Sequence, residues 1–165
     1  MKANNKLKKS IFNIKILDIS LHEILWYFIL FSVAGLLMET FYCYQTTGVL
    51  ESRKGLILGP FCPIYGIGAT FLIISLNKYK KNSLKLFIYG FFLGSILEYF
   101  MSFVLEAIYG TRFWDYSYLD LNLNGRISLI YSLFWGILSI FLMRFLKPLL
   151  DKLIFKISNK ITFTI

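Results

Sequence analysis

Seven charged residues have the types and spacing of a polar site in a chain that is 57% hydrophobic and only 16% charged. Three of them are carboxylates in apolar segments, and four lie in polar stretches between such segments: Glu39, Glu98 and Glu106, then Arg53, Arg112, Asp115 and Arg126. A carboxylate in hydrocarbon must be protonated, paired or hydrated. A guanidinium binds a carboxylate or a phosphate through two parallel hydrogen bonds. These residues therefore predict a network of carboxylates and arginines.

The stretch GTRFWDYSYLDLNLNGR, at 110–126, supplies much of this chemistry. We expect its arginines and Asp115 to line a polar vestibule whose floor is Glu39 and Glu98. Trp114 and Tyr116 are predicted to lie at headgroup level, where amphipathic rings anchor membrane proteins. The alternative interpretation is an ion-pair network that only fastens two loops to the helices.

Four long apolar segments must position these residues. Each has about the 20 residues that an α-helix needs to cross a bilayer; they cover 23–44, 56–76, 84–108 and 127–145. The prediction is an all-α polytopic membrane protein with four transmembrane helices. Too little chain remains to bury four such helices inside a soluble bundle.

The net charge of +9 follows the same pattern. Fourteen of the 18 lysines and arginines lie before the first segment, between the second and third, or after the fourth, if Lys85 and Arg144 at the inner ends of the third and fourth segments are included; only four lie in the other two connections. Positive charge collects on the cytoplasmic side of membrane proteins. The chain is therefore predicted to be a multi-pass protein of the cell membrane with both termini in the cytoplasm. Lipid is the expected partner, and nucleic acid is not.

The carboxylates have a predictable depth and direction. At about 1.5 Å per residue, Glu39 and Glu98 lie about 21–23 Å from the inner end of their helices, in the outer third of the membrane. Glu106 lies nearer the outer surface. Because residues four apart advance about 40° around a helix, Glu98, Ser102 and Glu106 form one polar stripe.

An internal repeat is predicted from matching motifs. The first half contains Gly35-x3-Glu39, Arg53 and then Ile64-Tyr65; the second contains Gly94-x3-Glu98, Arg112 and then Ile130-Tyr131. Two segments per copy would give two parallel two-helix repeats.

The ends of the chain are basic and amphipathic. We divide one transmembrane domain, 1–165, into a basic interfacial segment at 1–22, a four-span core at 23–146 and a basic amphipathic segment at 147–165. Apolar residues at helical spacing among lysines predict interfacial helices at both termini. Cys43 and Cys62 are interpreted as buried free thiols, with a disulfide as the alternative.

Two longer motifs carry a family resemblance. GVLESRKGLILGPFCPIYGIGA at 48–69 and FWDYSYLDLNLNGRISLIYSLFWG at 113–136 resemble the CmpB-like, type IV group of bacterial ABC-transporter permeases. The similarity covers about residues 20–145. It implies an integral membrane protein of a transport system, and it assigns no catalytic or binding residue.

Two functions remain open at this point. The first is a permease-like subunit with an outward-facing vestibule; the phosphate loop of an ATPase is absent from the sequence, so the ATPase would be a separate subunit. Four spans are few for a permeation path, so a homo-oligomer or other membrane subunits are expected. The second is a membrane-embedded enzyme or accessory protein for anionic lipid-linked envelope substrates, with Glu98 or Asp115 as general base and Arg112 or Arg126 as clamp. No cofactor, no metal and no established catalytic residue is predicted.

The topology gives the first testable prediction. Single cysteines at Asn124 and Lys81, in a chain lacking Cys43 and Cys62, should be labelled from opposite sides of intact cells. A membrane-impermeant maleimide added outside should modify only the cysteine at 124. Modification of both positions from outside would contradict four spans.

Overall fold

The computed structural model describes residues 15–48 and 62–163. The fold is helical, and its elements in chain order are β1 (Lys15–Ile16), β2 (Ile19–Ser20), α1 (Leu21–Thr47), α2 (Pro63–Leu76), a 3-10 turn (Asn77–Tyr79), α3 (Ser83–Tyr109), β3 (Asn122–Leu123), β4 (Ile127–Ser128), α4 (Leu129–Phe141), a π-helical segment (Leu142–Leu146) and α5 (Lys147–Phe163). Each pair of two-residue strands is an antiparallel hairpin.

Local sequence explains where the two longest helices begin and end. Ser20 and Glu23 form a reciprocal capping box at the start of α1, and the Asn82 side chain accepts the Lys85 N–H at the start of α3. Both helices end at a glycine with positive φ, Gly48 at 71° and Gly110 at 70°. Such a glycine stops a helix because it adopts the left-handed conformation without a Cβ clash. Both helices are therefore 27 residues long.

Three helices of the described residues are long and apolar enough to cross a membrane: Leu21–Thr46, Ser83–Tyr109 and Leu129–Ile157. Only 22%, 22% and 28% of these spans is buried inside the chain, so most of their apolar surface needs lipid or another chain against it. The membrane character predicted from composition is confirmed. The segment predicted at 56–76 appears as α2, whose 14 residues cover about 21 Å; residues 56–61 lie outside the described part.

The chain divides into two compact units. The first contains residues 1–75 and 149–165, and the second contains residues 76–148. In the first unit, α1 is joined to α5 by the Tyr27 hydroxyl, which donates to the Asp151 carboxylate. The second unit consists of α3, the loop 110–126 with its β-hairpin, and α4.

Glycines on α3 set how closely α4 approaches. A Cβ on Gly94 would collide with the ring of Trp135, and a Cβ on Gly90 would collide with the side chain of Ser139. Small residues at this spacing let helices in a membrane pack backbone to backbone. The first unit has a similar contact, because the ring of Tyr65 lies over Gly35.

The N-terminal segment differs from its prediction where it is described. Residues 15–20 form a β-hairpin whose turn residues, Leu17 and Asp18, have φ of 48° and 69°. A helix cannot contain two consecutive residues in this left-handed region. The predicted interfacial helix is therefore wrong for 15–20, and residues 1–14 lie outside the described residues.

The C-terminal segment is helical as predicted, but it continues the last span. Helix α4 passes through the π-helical segment into α5 without a break. Pro148 has no N–H to donate to the carbonyl one turn earlier, and its ring crowds that carbonyl. The wider π turn directly before Pro148 accommodates this local misfit.

The packing of α3 on α4 gives the second prediction. Gly94→Val should lower the free energy of unfolding by about 1–3 kcal/mol, the usual loss when a packed site is overfilled. The matched control is Ile96→Val on the same helix, where the side chain is 65% exposed. Thermal unfolding in detergent, followed by tryptophan fluorescence, measures both. Equal losses in the two variants would contradict the packing role of Gly94.

Candidate functional site

The polar stripe predicted on α3 is the centre of the candidate site in the second unit. Glu98, Ser102 and Glu106 follow one another at one residue per turn, and each has a hydrogen-bond partner beyond its own helix. Their partners come from the loop 110–126 and from α4. Glu98 lies 11 residues before the end of α3 at Tyr109, which is about 16 Å along the helix axis.

Glu98 is bound by two neutral donors. The Tyr116 hydroxyl donates to Oε1 at 2.8 Å, and the indole N–H of Trp135 donates to Oε2 at 2.7 Å. Tyr116 also stacks on Tyr131, with 4.2 Å between the ring centroids. Of the predicted network of carboxylates and arginines, Arg112 and Arg126 both bind Glu106, whereas Glu98 is bound by Tyr116 and Trp135.

Arg126 joins the two outer positions of the stripe. Its Nη1 donates to the Ser102 hydroxyl at 3.1 Å, and its Nη2 forms an ion pair with Glu106. The guanidinium also lies over the ring of Phe103, at 5.6 Å from the centroid. Arg126 is only 8% exposed. A buried cation requires this kind of pairing and hydrogen bonding, so Arg126 fastens the end of the loop to α3.

Arg112 binds the other face of the same carboxylate. Its Nε lies 3.2 Å from Glu106 Oε1, and its Nη1 donates to the Asn124 carbonyl at 3.2 Å. The Arg112 side chain is 35% exposed. Glu106 thus pairs with two arginines near the C-terminal end of α3, where the side chains of Arg112 and Glu106 are partly exposed.

The loop holds these arginines through its own hydrogen bonds. The Asp115 carboxylate accepts from the Ser117 N–H at 2.9 Å and from the Ser117 hydroxyl at 2.6 Å. These bonds hold the pKa of Asp115 below its usual range. The Trp114 indole donates to the Arg126 carbonyl at 3.1 Å, and Gly125 takes a φ of 67° beside Asp115. Asp115 and Trp114 thus shape the loop.

Tyr116 has a contact that its predicted role as a headgroup anchor did not include. It reaches down to Glu98, whereas Tyr118 is 75% exposed. Burial, and then the hydrogen bond to Glu98, raises the pKa of the Tyr116 phenol. The hydroxyl therefore keeps its proton at neutral pH and remains a donor.

Trp135 is the site residue that sequence reasoning missed. The signal was present, because an indole N–H in an apolar helix requires an acceptor. Gly94, one turn before Glu98, also marks a place where a large side chain can enter. Nearer the start of α3 than Glu98, a second polar contact joins α3 to α4: the Ser95 hydroxyl donates to the Ser132 hydroxyl at 2.8 Å.

The first unit holds its own membrane carboxylate in a similar way. The Tyr65 hydroxyl donates to Glu39, and Gly35 makes room for the Tyr65 ring. Arg53, another residue of the predicted polar site, lies outside the described residues. Cys43 and Cys62 are both buried thiols, as the first interpretation expected.

The family assignment follows from the sequence comparison. The model of the family described as "Putative ABC-transporter type IV" matches residues 26–165, which is most of the chain. The chain belongs to this family. Within the ABC-transporter type IV match lie all seven charged residues singled out above, together with Trp135. Searches of curated proteins and of solved structures found no match.

For this family member, the site combines two chemical environments. Glu106 is neutralised by two cations near the surface, whereas Glu98 has hydrogen bonds but no ion pair among the described residues. A carboxylate without an ion pair, such as Glu98, can accept a proton or contact a polar solute. In the described part of the chain, no three His, Cys, Asp or Glu side chains are grouped to hold a metal ion.

The two arginines give the third prediction. Arg126→Gln should lower the melting temperature more than Arg112→Gln, because only Arg126 is buried and binds both Ser102 and Glu106. Arg112 is its matched control, with the same charge and the same carboxylate partner. Differential scanning fluorimetry of the purified variants measures the difference. Equal shifts would contradict the role of Arg126 as the main attachment of the loop.

Proposed function

We propose that this protein is a permease subunit of a bacterial transport system and that it works with a separate ATPase subunit. Membership of the ABC-transporter type IV family and the apolar helices support this function. The proposed vestibule faces outward and follows the stripe of Glu98, Ser102 and Glu106. Its upper wall is the loop that carries Arg112 and Arg126.

The carboxylate of Glu98 is the main observation in support of the proposed vestibule. On insertion scales a charged carboxylate at the centre of a transmembrane helix costs about 3 kcal/mol, and such residues commonly mark substrate or ion pathways. Tyr116 and Trp135 donate to both oxygens of Glu98. A neutral amide oxygen could accept one of these bonds at lower cost. A carboxylate at this position therefore favours a site over a simple fastening between helices.

We further propose four spans with both termini in the cytoplasm. The second span would comprise 56–76, to which α2 contributes Pro63–Leu76. The connection between α2 and α3 would then be cytoplasmic, with Lys78, Lys80 and Lys81 at the surface that an ATPase can approach. Arg144 holds this connection, because it donates to the Lys81 carbonyl at 2.9 Å and to the Ser83 hydroxyl at 3.0 Å.

The internal contacts of the two units support the proposed repeat, with a different register in its second helix. Gly35 lies under Tyr65, which binds Glu39; Gly94 lies under Trp135, which binds Glu98. A second pair of contacts matches as well, since Gly66 meets Phe28 and Gly136 meets Phe87. These contacts align Tyr65 with Trp135, one helical turn beyond the Tyr131 suggested by the sequence motif.

No observation favours the enzyme alternative. The two arginines proposed as a clamp for an anionic headgroup are both engaged by Glu106. Asp115, one of the two proposed general bases, is held in the loop by Ser117.

The partner subunit gives the fourth prediction. A photo-reactive amino acid at Lys80 should crosslink, in native membranes, to a protein whose sequence contains a phosphate-loop ATPase motif. The matched control is the same amino acid at Tyr118, in the loop proposed to be outside, where this crosslink should be absent. The purified complex should hydrolyse ATP, and Glu98→Gln should slow the hydrolysis whereas Ile96→Val should not.

Two outcomes would contradict the proposed function. One is the absence of any ATPase crosslink from Lys80 in cells that contain the folded chain. The other is co-purification of a lipid-linked envelope precursor in place of an ATPase, which would support the enzyme or accessory class.

A further inference from the structure

We propose that Glu98 is a proton-binding site, which takes up and releases one proton within the span while Tyr116 and Trp135 stay bonded to it. This inference deepens the proposed function, because it rests on the same vestibule and the same placement of α3 in the membrane. The ligand of the carboxylate is a proton, and the atom that carries it is Oε1 of Glu98.

The two donors differ in what they can do. The Trp135 indole can only donate, so it requires Oε2 of Glu98 to remain an acceptor. The Tyr116 hydroxyl can donate or accept, and it faces Oε1. When Glu98 is ionised, both neighbours donate to it. When Glu98 is neutral, its proton lies on Oε1 and is donated to the Tyr116 oxygen. Both oxygens of Glu98 therefore keep a hydrogen-bond partner in either state, without movement of the backbone.

Among the described residues, two tyrosines are the titratable groups linked to Glu98 by direct bonding or stacking. Tyr116 faces it from the loop, and Tyr131 stacks behind Tyr116 from α4. On α3 itself, the next turn outward is Ser102, which binds Arg126, and the turn after that is Glu106. Arg126 donates to Ser102 and Glu106 rather than to Glu98. Glu98 therefore has no dedicated counter-ion among the described residues that would hold it permanently ionised.

Glu106 provides a matched control within the same helix. It lies two turns from Glu98 and is of the same residue type, but it is paired with both arginines. Two cations favour the charged form of a carboxylate. Glu106 should therefore stay ionised under conditions in which Glu98 takes up its proton.

The fifth prediction uses dicyclohexylcarbodiimide, an apolar reagent that modifies protonated carboxyl groups. The full chain in lipid vesicles is treated across the pH range in which it stays folded, and each glutamate is then read by peptide mass spectrometry. Glu98 should be modified, with a yield that falls as pH rises, and Glu106 should remain largely unmodified. Glu98→Gln should remove the adduct. Trp135→Phe removes a donor that favours the ionised form, so modification should extend to higher pH. Tyr116→Phe should change the pH dependence of modification less, because the Tyr116 hydroxyl can bond to both the ionised and the neutral form of Glu98.

An infrared difference spectrum between low and high pH provides a second readout that does not depend on reagent access. It should contain a protonated-carboxyl C=O band that Glu98→Gln abolishes. The proposal is overturned if this band persists in Glu98→Gln, or if Glu98 and Glu106 react equally at every pH. Neither measurement requires ATP or a partner. If the ATPase crosslink fails but Glu98 still takes up its proton, only the transport proposal is rejected. If the crosslink forms but Glu98 does not take up a proton, only the proton site is rejected.

Discussion

The second unit is organised by the need to satisfy one carboxylate in an apolar helix. Glu98 cannot lose its hydrogen bonds to water unless the protein replaces them. Gly94 leaves the space through which Trp135 reaches one oxygen, and the loop folds inward so that Tyr116 reaches the other. The close approach of α3 and α4 and the course of the loop both follow from this requirement.

Position along α3 separates the two kinds of polar bonding. The ion pairs lie near the C-terminal end of the helix, where Glu106 and Arg112 are each about one-third exposed and hydration limits the cost of their charges. Deeper in the helix, Glu98 is bound by neutral groups, which need less desolvation than a buried guanidinium. Arg126 bridges the two levels through its bonds to Ser102 and Glu106. The stripe therefore becomes less charged from the surface inward.

Sequence periodicity was sufficient to predict the long apolar helices and the polar stripe on α3, because both depend on the spacing of residues close in sequence. The identity of each partner was not predictable in the same way. Charge complementarity suggested an arginine for Glu98, but the register between α3 and α4 places Trp135 there, and that register depends on glycine contacts across the helix pair. The N-terminal hairpin was missed for a different reason. Apolar residues at helical spacing were read as a helix, although Leu17 and Asp18 adopt the backbone of a tight turn.

The sequence separation of the Glu98 contacts has a consequence for biosynthesis. Tyr116 and Trp135 follow Glu98 by 18 and 37 residues. A nascent chain that enters the bilayer one helix at a time would expose α3 to lipid before either donor had reached Glu98. Entry of α3 and α4 as a preformed hairpin would avoid this exposure, as would entry of α3 with a neutral Glu98. The sequence separation of these residues therefore ties the insertion of α3 either to that of α4 or to the protonation of Glu98.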